Sequence, residues 1–321
     1  MKKKLLITLC GLLLLSGCKN AKLKDGDTDL VSFKEKDPIS TETFYNELKD
    51  IYGAETLTNL VDTYLLDAMY DETQEEKDYI KGQVKSAEEA AKSMGVTTDI
   101  YLLYYYGVAD VDHYKKQLSL DYRRGIYATE YAKENVTETQ IKEYYEKEVI
   151  GDIEASQILI SVDTSKATTD EEKEDAKQAA KKKAEDVIKQ LKDGGDFATL
   201  AQKYSDDSLT SNNGGSLGKV NKGDVSDAVI KALISLENGS YTKTPVEDTT
   251  GYYILYRTSQ DEKKELDDTL KEEIITTIAE ETASTTSNYK LTAMKALREK
   301  NEMAINDSKL KKAFDELHKN Y

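Results

Sequence analysis

Two prolines, Pro38 and Pro245, are all that this chain of 321 residues contains. Proline removes a backbone donor and breaks a helix from within, so the long proline-free stretch between them leaves helices free to form wherever apolar residues recur at helical spacing. From Ser40 to about Val149 they do. Ser40, Thr41 and Thr43 offer capping hydroxyls, after which Phe44, Leu48, Ile51 and Tyr52 recur three and four residues apart. Leu57, Leu60, Val61, Tyr64, Leu65 and Ala68 make a second stripe, and further stripes run around Ile80 to Met94, Tyr101 to Tyr106 and Tyr114 to Tyr131. The spacing predicts a series of helices joined by short polar turns.

The pattern changes at Gly151. Ile153 to Val162 is short and rich in β-branched residues, which predicts a strand. Thr169 and Glu172 form a capping-box signature; Ala176, Ala180, Val187 and Leu191 line one face of the helix behind it, and Gly194 and Gly195 stop it. Asp196 then caps a second helix with Phe197, Leu200, Ala201 and Tyr204 inward. A glycine-rich loop from Asn213 to Gly218, a short helix from about Ser226 to Ser235, and strands around Thr244 to Val246 and Tyr252 to Tyr256 complete a compact α+β unit over residues 151–258. After Ser259 charged helix returns, from Lys263 to about Lys300 and from Asp307 to Lys319.

Composition removes several function classes. Acidic side chains number 61 against 45 basic ones, a formal charge of -16. Phosphate contacts need clustered Lys and Arg, so a nucleic-acid partner is not expected. Two histidines, His113 and His318, cannot build a His-rich metal site, and both read as solitary surface residues. Two cysteines cannot make a disulfide scaffold.

The chain opens with three lysines, an apolar run from Leu5 to Leu15, and small residues ending at Cys18. A spanning helix needs about 20 apolar residues, so residues 1–17 read as a cleaved signal peptide. Leu15, Ser16, Gly17 and Cys18 resemble the bacterial lipobox, which implies cleavage before Cys18 and diacylation of its thiol. Two acyl chains are what stable anchoring requires. Cys10 leaves with the leader, so no thiol remains for catalysis. Residues 18–36 are expected to be a lipidated N-terminus and polar linker. Asp25 to Asp29 has some look of a calcium loop, but the Glu of its twelfth position is missing.

The strings ASQILI, GGDFATLAQKYSDDS, GGSLGKVNKGDVSDAV and ENGSYTKTPVEDTTGYYIL, with the helix between the first two, resemble a parvulin-type peptidyl-prolyl isomerase domain in order and spacing. With the lipobox in front and helical arms on both sides, the whole chain resembles the PrsA family of lipid-anchored foldases of Gram-positive bacteria. The resemblance implies an α+β fold: a small antiparallel sheet with surrounding helices, inserted between N- and C-terminal helical chaperone segments. It implies a chaperone lobe over residues 37–150, a parvulin-like domain over 151–258, and a C-terminal segment over 259–321 that packs with the N-terminal lobe. The implied partners are unfolded or partly folded secreted proteins, outside the cell membrane, with no cofactor and no metal. Association of two chains through the arms, as a homodimer, stays open.

Rotating a prolyl amide needs no covalent step. The barrier, about 18–20 kcal/mol, comes from partial double-bond character, and a catalyst lowers it by binding the twisted bond better than either planar form. By resemblance, the family's two strand histidines fall on Gln157 and Tyr253, its acidic or thiol position on Asp207, and its proline socket on Leu217, Val225 and Val229. Both histidines are thus replaced. Two arrangements are open: Gln157 and Tyr253 hydrogen-bond to one another across adjacent strands and still present donors to a variant catalytic site with Asp207, or they merely satisfy each other. The corresponding functions are an active isomerase and a holdase with a degenerate parvulin domain; a solute-binding lipoprotein is the alternative from another class. Fifteen of the 22 tyrosines lie between Tyr45 and Tyr145. Tyrosine joins a large apolar face to a polar tip, so part of this set is expected to line a client-binding surface. Tyr104, Tyr105 and Tyr106 lead that set, because three consecutive helical residues cannot all face one core.

Overall fold

The computed structural model describes residues 23–319. The leader and Cys18 lie outside the described residues. In chain order come strands β1 (Asp29–Val31) and β2 (Ile39–Ser40), then helices α1 (Thr41–Asp67), α2 (Gln74–Ser93), α3 (Thr98–Tyr106), α4 (Val111–Asn135) and α5 (Glu138–Glu148). The middle holds β3 (Ile153–Ser161), α6 (Asp170–Lys192), α7 (Phe197–Tyr204), β4 (Ser216–Val220), α8 (Asp227–Ser235), β5 (Ser240–Tyr241), β6 (Val246–Asp248) and β7 (Gly251–Gln260). Helices α9 (Asp268–Thr285), α10 (Tyr289–Lys300) and α11 (Ser308–Leu317) end the chain. Two compact units result: Thr137–Ile275 forms one, inner in sequence, and the described residues before and after it, 23–136 and 276–319, form the other, outer in sequence.

The outer unit is helical. The first donors of α1 to α4 are satisfied by Ser40, Thr73, Thr97 and Asp110, each side chain accepting from a backbone N–H three residues on. Its core joins Leu66 of α1 to Leu120 and Tyr127 of α4 and to Met294 and Leu297 of α10. A buried ion cluster reinforces the junction. Asp62, fully buried on α1, accepts from Arg298 Nε and Nη2 at 2.7 Å each and from Arg124 Nη2 at 2.6 Å. Two guanidinium groups therefore tie α4 and α10 to one carboxylate. At the far end of α1, Lys49 meets Asp307, the N-cap of α11, at 3.2 Å.

Two expectations change here. Part of the expected linker is folded: β1 pairs with β2, Thr41 N donates to Thr28 O, and Glu42 N donates to Gly26 O, each of these two bonds at 2.8 Å. A polar sequence has satisfied its backbone groups on the start of α1 instead of on water. The expected helix from Lys263 to Lys300 is broken, because Asn288 takes a left-handed conformation (φ 63°) between α9 and α10. Asparagine tolerates that conformation better than most residues.

The inner unit is built on an antiparallel sheet in the order β4-β3-β7-β5, with β6 also pairing to β7. Side chains alternate across the pleat, so β3 and β7 feed two cores. Ile158, Ile160 and Ile254 lie under α6 and α7, while Ile153, Ala155 and Leu255 lie under α8. The capping box of Thr169 and Glu172 and the cap at Asp196 form as the sequence predicts. The glycine-rich stretch, by contrast, is only partly loop: Ser216–Val220 is the edge strand β4, whose Gly218 sits opposite Ala155. Its pairing comes from β3, not from its own weak strand propensity.

Candidate functional site

Gln157 and Tyr253 stand on one face of the sheet, the face that carries Ala155 and Leu255 toward α8. They are not opposite each other. Gln157 is paired with Leu255 and Leu159 with Tyr253, so the two side chains are diagonal neighbours. Beyond Ser156 the β4 partner ends and the segment after α7 takes its place on β3: Asp206 N donates to Leu159 O at 2.8 Å, and Leu159 N donates to Ser205 Oγ at 3.1 Å. This docking carries Asp207 to Gln157.

Gln157 Nε2 donates to Asp207 Oδ2 at 2.8 Å. Thr210 Oγ1 donates to the same oxygen, and Leu209 N donates to Oδ1 at 3.0 Å. Partial burial works against the charged form of Asp207. The hydrogen bonds from Thr210, Gln157 and Leu209 outweigh it and hold the carboxyl below the usual range for Asp. The opposite wall is fixed by glycine. Gly215 has φ 80°, and a Cβ there would stand 2.2 Å from the carbonyl oxygen of Gln157, while Gln157 N donates to Gly215 O at 2.8 Å. Only glycine lets the loop approach this closely.

The hydrogen bond expected between Gln157 and Tyr253 is not the one formed. Tyr253 OH instead shares a hydrogen bond with Thr250 Oγ1 at 2.7 Å. The strand register sets the two side chains diagonally, and each has a nearer partner. Of the three socket positions, Leu217 and Val225 are half-buried and pack against the α8 core. Val229 is only 2% exposed and belongs to that core. Thr210 and Thr250, which orient Asp207 and Tyr253, were not among the sequence candidates. An Asp followed three residues later by Thr is a local capping pattern and was the available signal.

In the helical unit Tyr104 is 81% exposed, and the rings of Tyr101, Tyr104 and Tyr105 form a chain with centroids 4.6 and 4.9 Å apart. Tyr106 turns inward to Tyr114, at 4.7 Å. His113 is an exposed partner of Asp110. His318 departs from the surface expectation: it is half-buried, its ring lies 4.2 Å from that of Phe314, and burial lowers its pKa.

Residues 158–259 match the rotamase family, described as the PPIC-type PPIase domain. Over 263 residues the chain is 31% identical to the foldase protein PrsA of Geobacillus kaustophilus, covering 82% of this chain and 80% of that one. The chain belongs to the PrsA foldase family. It is also 29% identical over 312 residues to the PrsA foldase of Bacillus subtilis, covering 96% and 92% of the two chains. Among solved structures, the PrsA foldase of Streptococcus pneumoniae shares the fold, with a TM-score of 0.56 at 19% identity over 89% of this chain and 98% of that one. Membership of a PrsA foldase family replaces the solute-receptor alternative and identifies the inner unit as its rotamase unit.

Proposed function

We propose that this PrsA-family chain is a lipid-anchored foldase on the outer face of a Gram-positive cell membrane, in which the helical unit holds unfolded secreted proteins and the rotamase unit binds prolyl segments without appreciable turnover. The leader ending just before Cys18 supports the address: a diacylated cysteine would keep the folded part at the membrane surface. The observation that carries the rest is the pairing of Gln157 with Asp207. A glutamine amide neither gains nor loses a proton near neutral pH, and here one of its donors is committed to a carboxylate. Tyr253 OH is committed to Thr250 in turn. The polar groups that would have to follow an amide as it twists are tied to the protein instead, while Leu217 and Val225 still offer an apolar wall for a proline ring.

A protease-coupled assay on a Xaa-Pro tetrapeptide with the full chain tests this. Isomerisation at the uncatalysed rate even at high protein concentration is expected, together with suppressed aggregation of an unfolded protein. A catalysed rate that falls on Asp207→Asn with folding retained would overturn it in favour of a variant isomerase site built from Gln157, Asp207 and Tyr253.

A further inference from the structure

The helical unit holds an open groove of about 1110 Å³ walled by α1, α2 and α4. Its floor is apolar: Leu60, Leu66, Ile80, Val84 and Leu120. Its rims are basic on both sides, with Lys77, Lys81 and Lys85 from α2 and Lys115 and Lys116 from α4. In a chain with 61 acidic and 45 basic residues this local sign is reversed. Three acids also line the groove, and two of them are occupied: Asp67 by Arg123 and Glu72 by Lys77. Lys85 and Lys115 pair with exposed acids of their own helices, Glu89 and Asp112. Lys81 and Lys116 are exposed and form no ion pair among the described residues. One free cation therefore stands on each rim, above an apolar floor, and the third acid, Glu88 of α2, is exposed and forms no ion pair among the described residues, so the lining keeps a net positive charge of six basic against three acidic side chains.

We infer that this groove selects client segments with a short apolar core bracketed by Asp or Glu, an inference that rests on the helical unit being the client-binding part. The unpaired lysines set the arrangement: Lys81 of α2 and Lys116 of α4 stand on opposite rims, so a segment crossing the groove meets one cation on each side of the apolar floor. The apolar core lies on the floor, and the flanking carboxylates reach the lysines. Burial of the core supplies affinity, and the charge pattern supplies choice among clients, since rim charges act mainly on specificity and approach.

Three fluorescein-labelled peptides sharing a Leu-Val-Phe-Leu core, flanked by aspartates, by serines or by lysines, test the inference by anisotropy with the full chain. The acidic peptide is expected to bind tightest and the basic one weakest, with the difference shrinking as salt is added. The double variant Lys81→Glu, Lys116→Glu is expected to weaken the acidic peptide about tenfold and to invert the order. Lys81→Ser, Lys116→Ser, which removes charge without adding any, is expected to narrow the differences. Both lysines are exposed, so the circular dichroism of the variants is expected to match the parent. Equal affinity for the three peptides, or an order that neither variant changes, would overturn the inference. So would binding confined to vesicles of anionic lipid. Suppression of aggregation is measured alongside: if it persists without any peptide preference, the groove inference fails and the client-holding reading stands, whereas its absence removes the reading itself.

Discussion

In the rotamase unit Ile158, Ile254 and Leu255 are fully buried between the sheet and its helices, whereas on α1 of the helical unit Ile51 and Tyr64 stand 67% and 78% exposed. The first unit closes over its own apolar residues, using α6 and α7 on one face of the sheet and α8 on the other. The second does not. Phe44, Ile51 and Tyr52 of the first stripe and Leu60 and Tyr64 of the second are each more than half exposed on α1. Open apolar side chains of this kind are what the proposed holding of clients draws on. The helical unit compensates in another way, by fixing its helices through buried ions. Amphipathic spacing thus forecasts helices in both units and core residues in both, since Tyr114, Leu118, Leu120 and Tyr127 of a forecast stripe are buried in the helical unit, but on α1 it also marks side chains left largely in water.

The largest test of this difference is Asp62→Ala. Removing the carboxylate leaves Arg298 buried without a counter-charge and Arg124 with only the half-exposed Asp121, at 3.4 Å, which is expected to cost about 3–5 kcal/mol. The loss is expected in the helical unit alone. Calorimetry combined with limited proteolysis checks it: fragments should arise within residues 41–136 and 276–319 at a temperature where 137–275 resists cleavage. Parallel destabilisation of both units would break the comparison.

What the sequence makes legible follows the range of each interaction. Helix starts at Ser40, Thr169 and Asp196 depend on residues three positions apart, and each forms as its local pattern predicts. Strand β4 depends on β3, some 60 residues away, and its glycines disguise it as loop. The candidate site divides in the same way. Gln157, Asp207 and Leu217 are candidates that the resemblance to a parvulin-type domain implies, but the partner of Gln157 is set by strand register and by the docking of Ser205 and Asp206 on β3. Asp62 is the extreme case. In sequence it resembles any surface acid of an acidic helix, and only the meeting of α1, α4 and α10 reveals its role.

A smaller effect is expected from Asp207→Asn, which weakens the bonds from Gln157, Thr210 and Leu209 by about 1 kcal/mol in the rotamase unit. Its pH dependence has a definite sign. The folded carboxyl is held below its ordinary value, so its contribution is present above the unfolded value, near pH 4, and is lost as pH falls through the folded value. Rotamase-unit stability is therefore expected to fall more steeply below pH 4 in the parent than in the variant. Chemical denaturation across pH 2–5, followed by NMR signals of residues 137–275, checks this. Identical acid profiles would show that the network does not hold the ionised form.

The smallest effect on stability should accompany a large one on function. Ile51→Ser and Tyr64→Ser alter side chains that are mostly in water, so each is expected to change stability by less than about 0.5 kcal/mol. If the exposed apolar side chains of α1 receive unfolded chain, the double variant, which alters one residue of each of its two stripes, should nevertheless lose most of its suppression of aggregation, because each client contact there buries apolar surface at about 25 cal/mol per Å². Leu266→Ser provides the matched control: it removes an exposed leucine from the rotamase unit, where the apolar residues of the sheet are already covered. Suppression unchanged by that substitution but lost on α1 would confine client holding to the helical unit. Equal loss from both would mean that exposed apolar area acts wherever it lies, and the two units would then differ in packing but not in task.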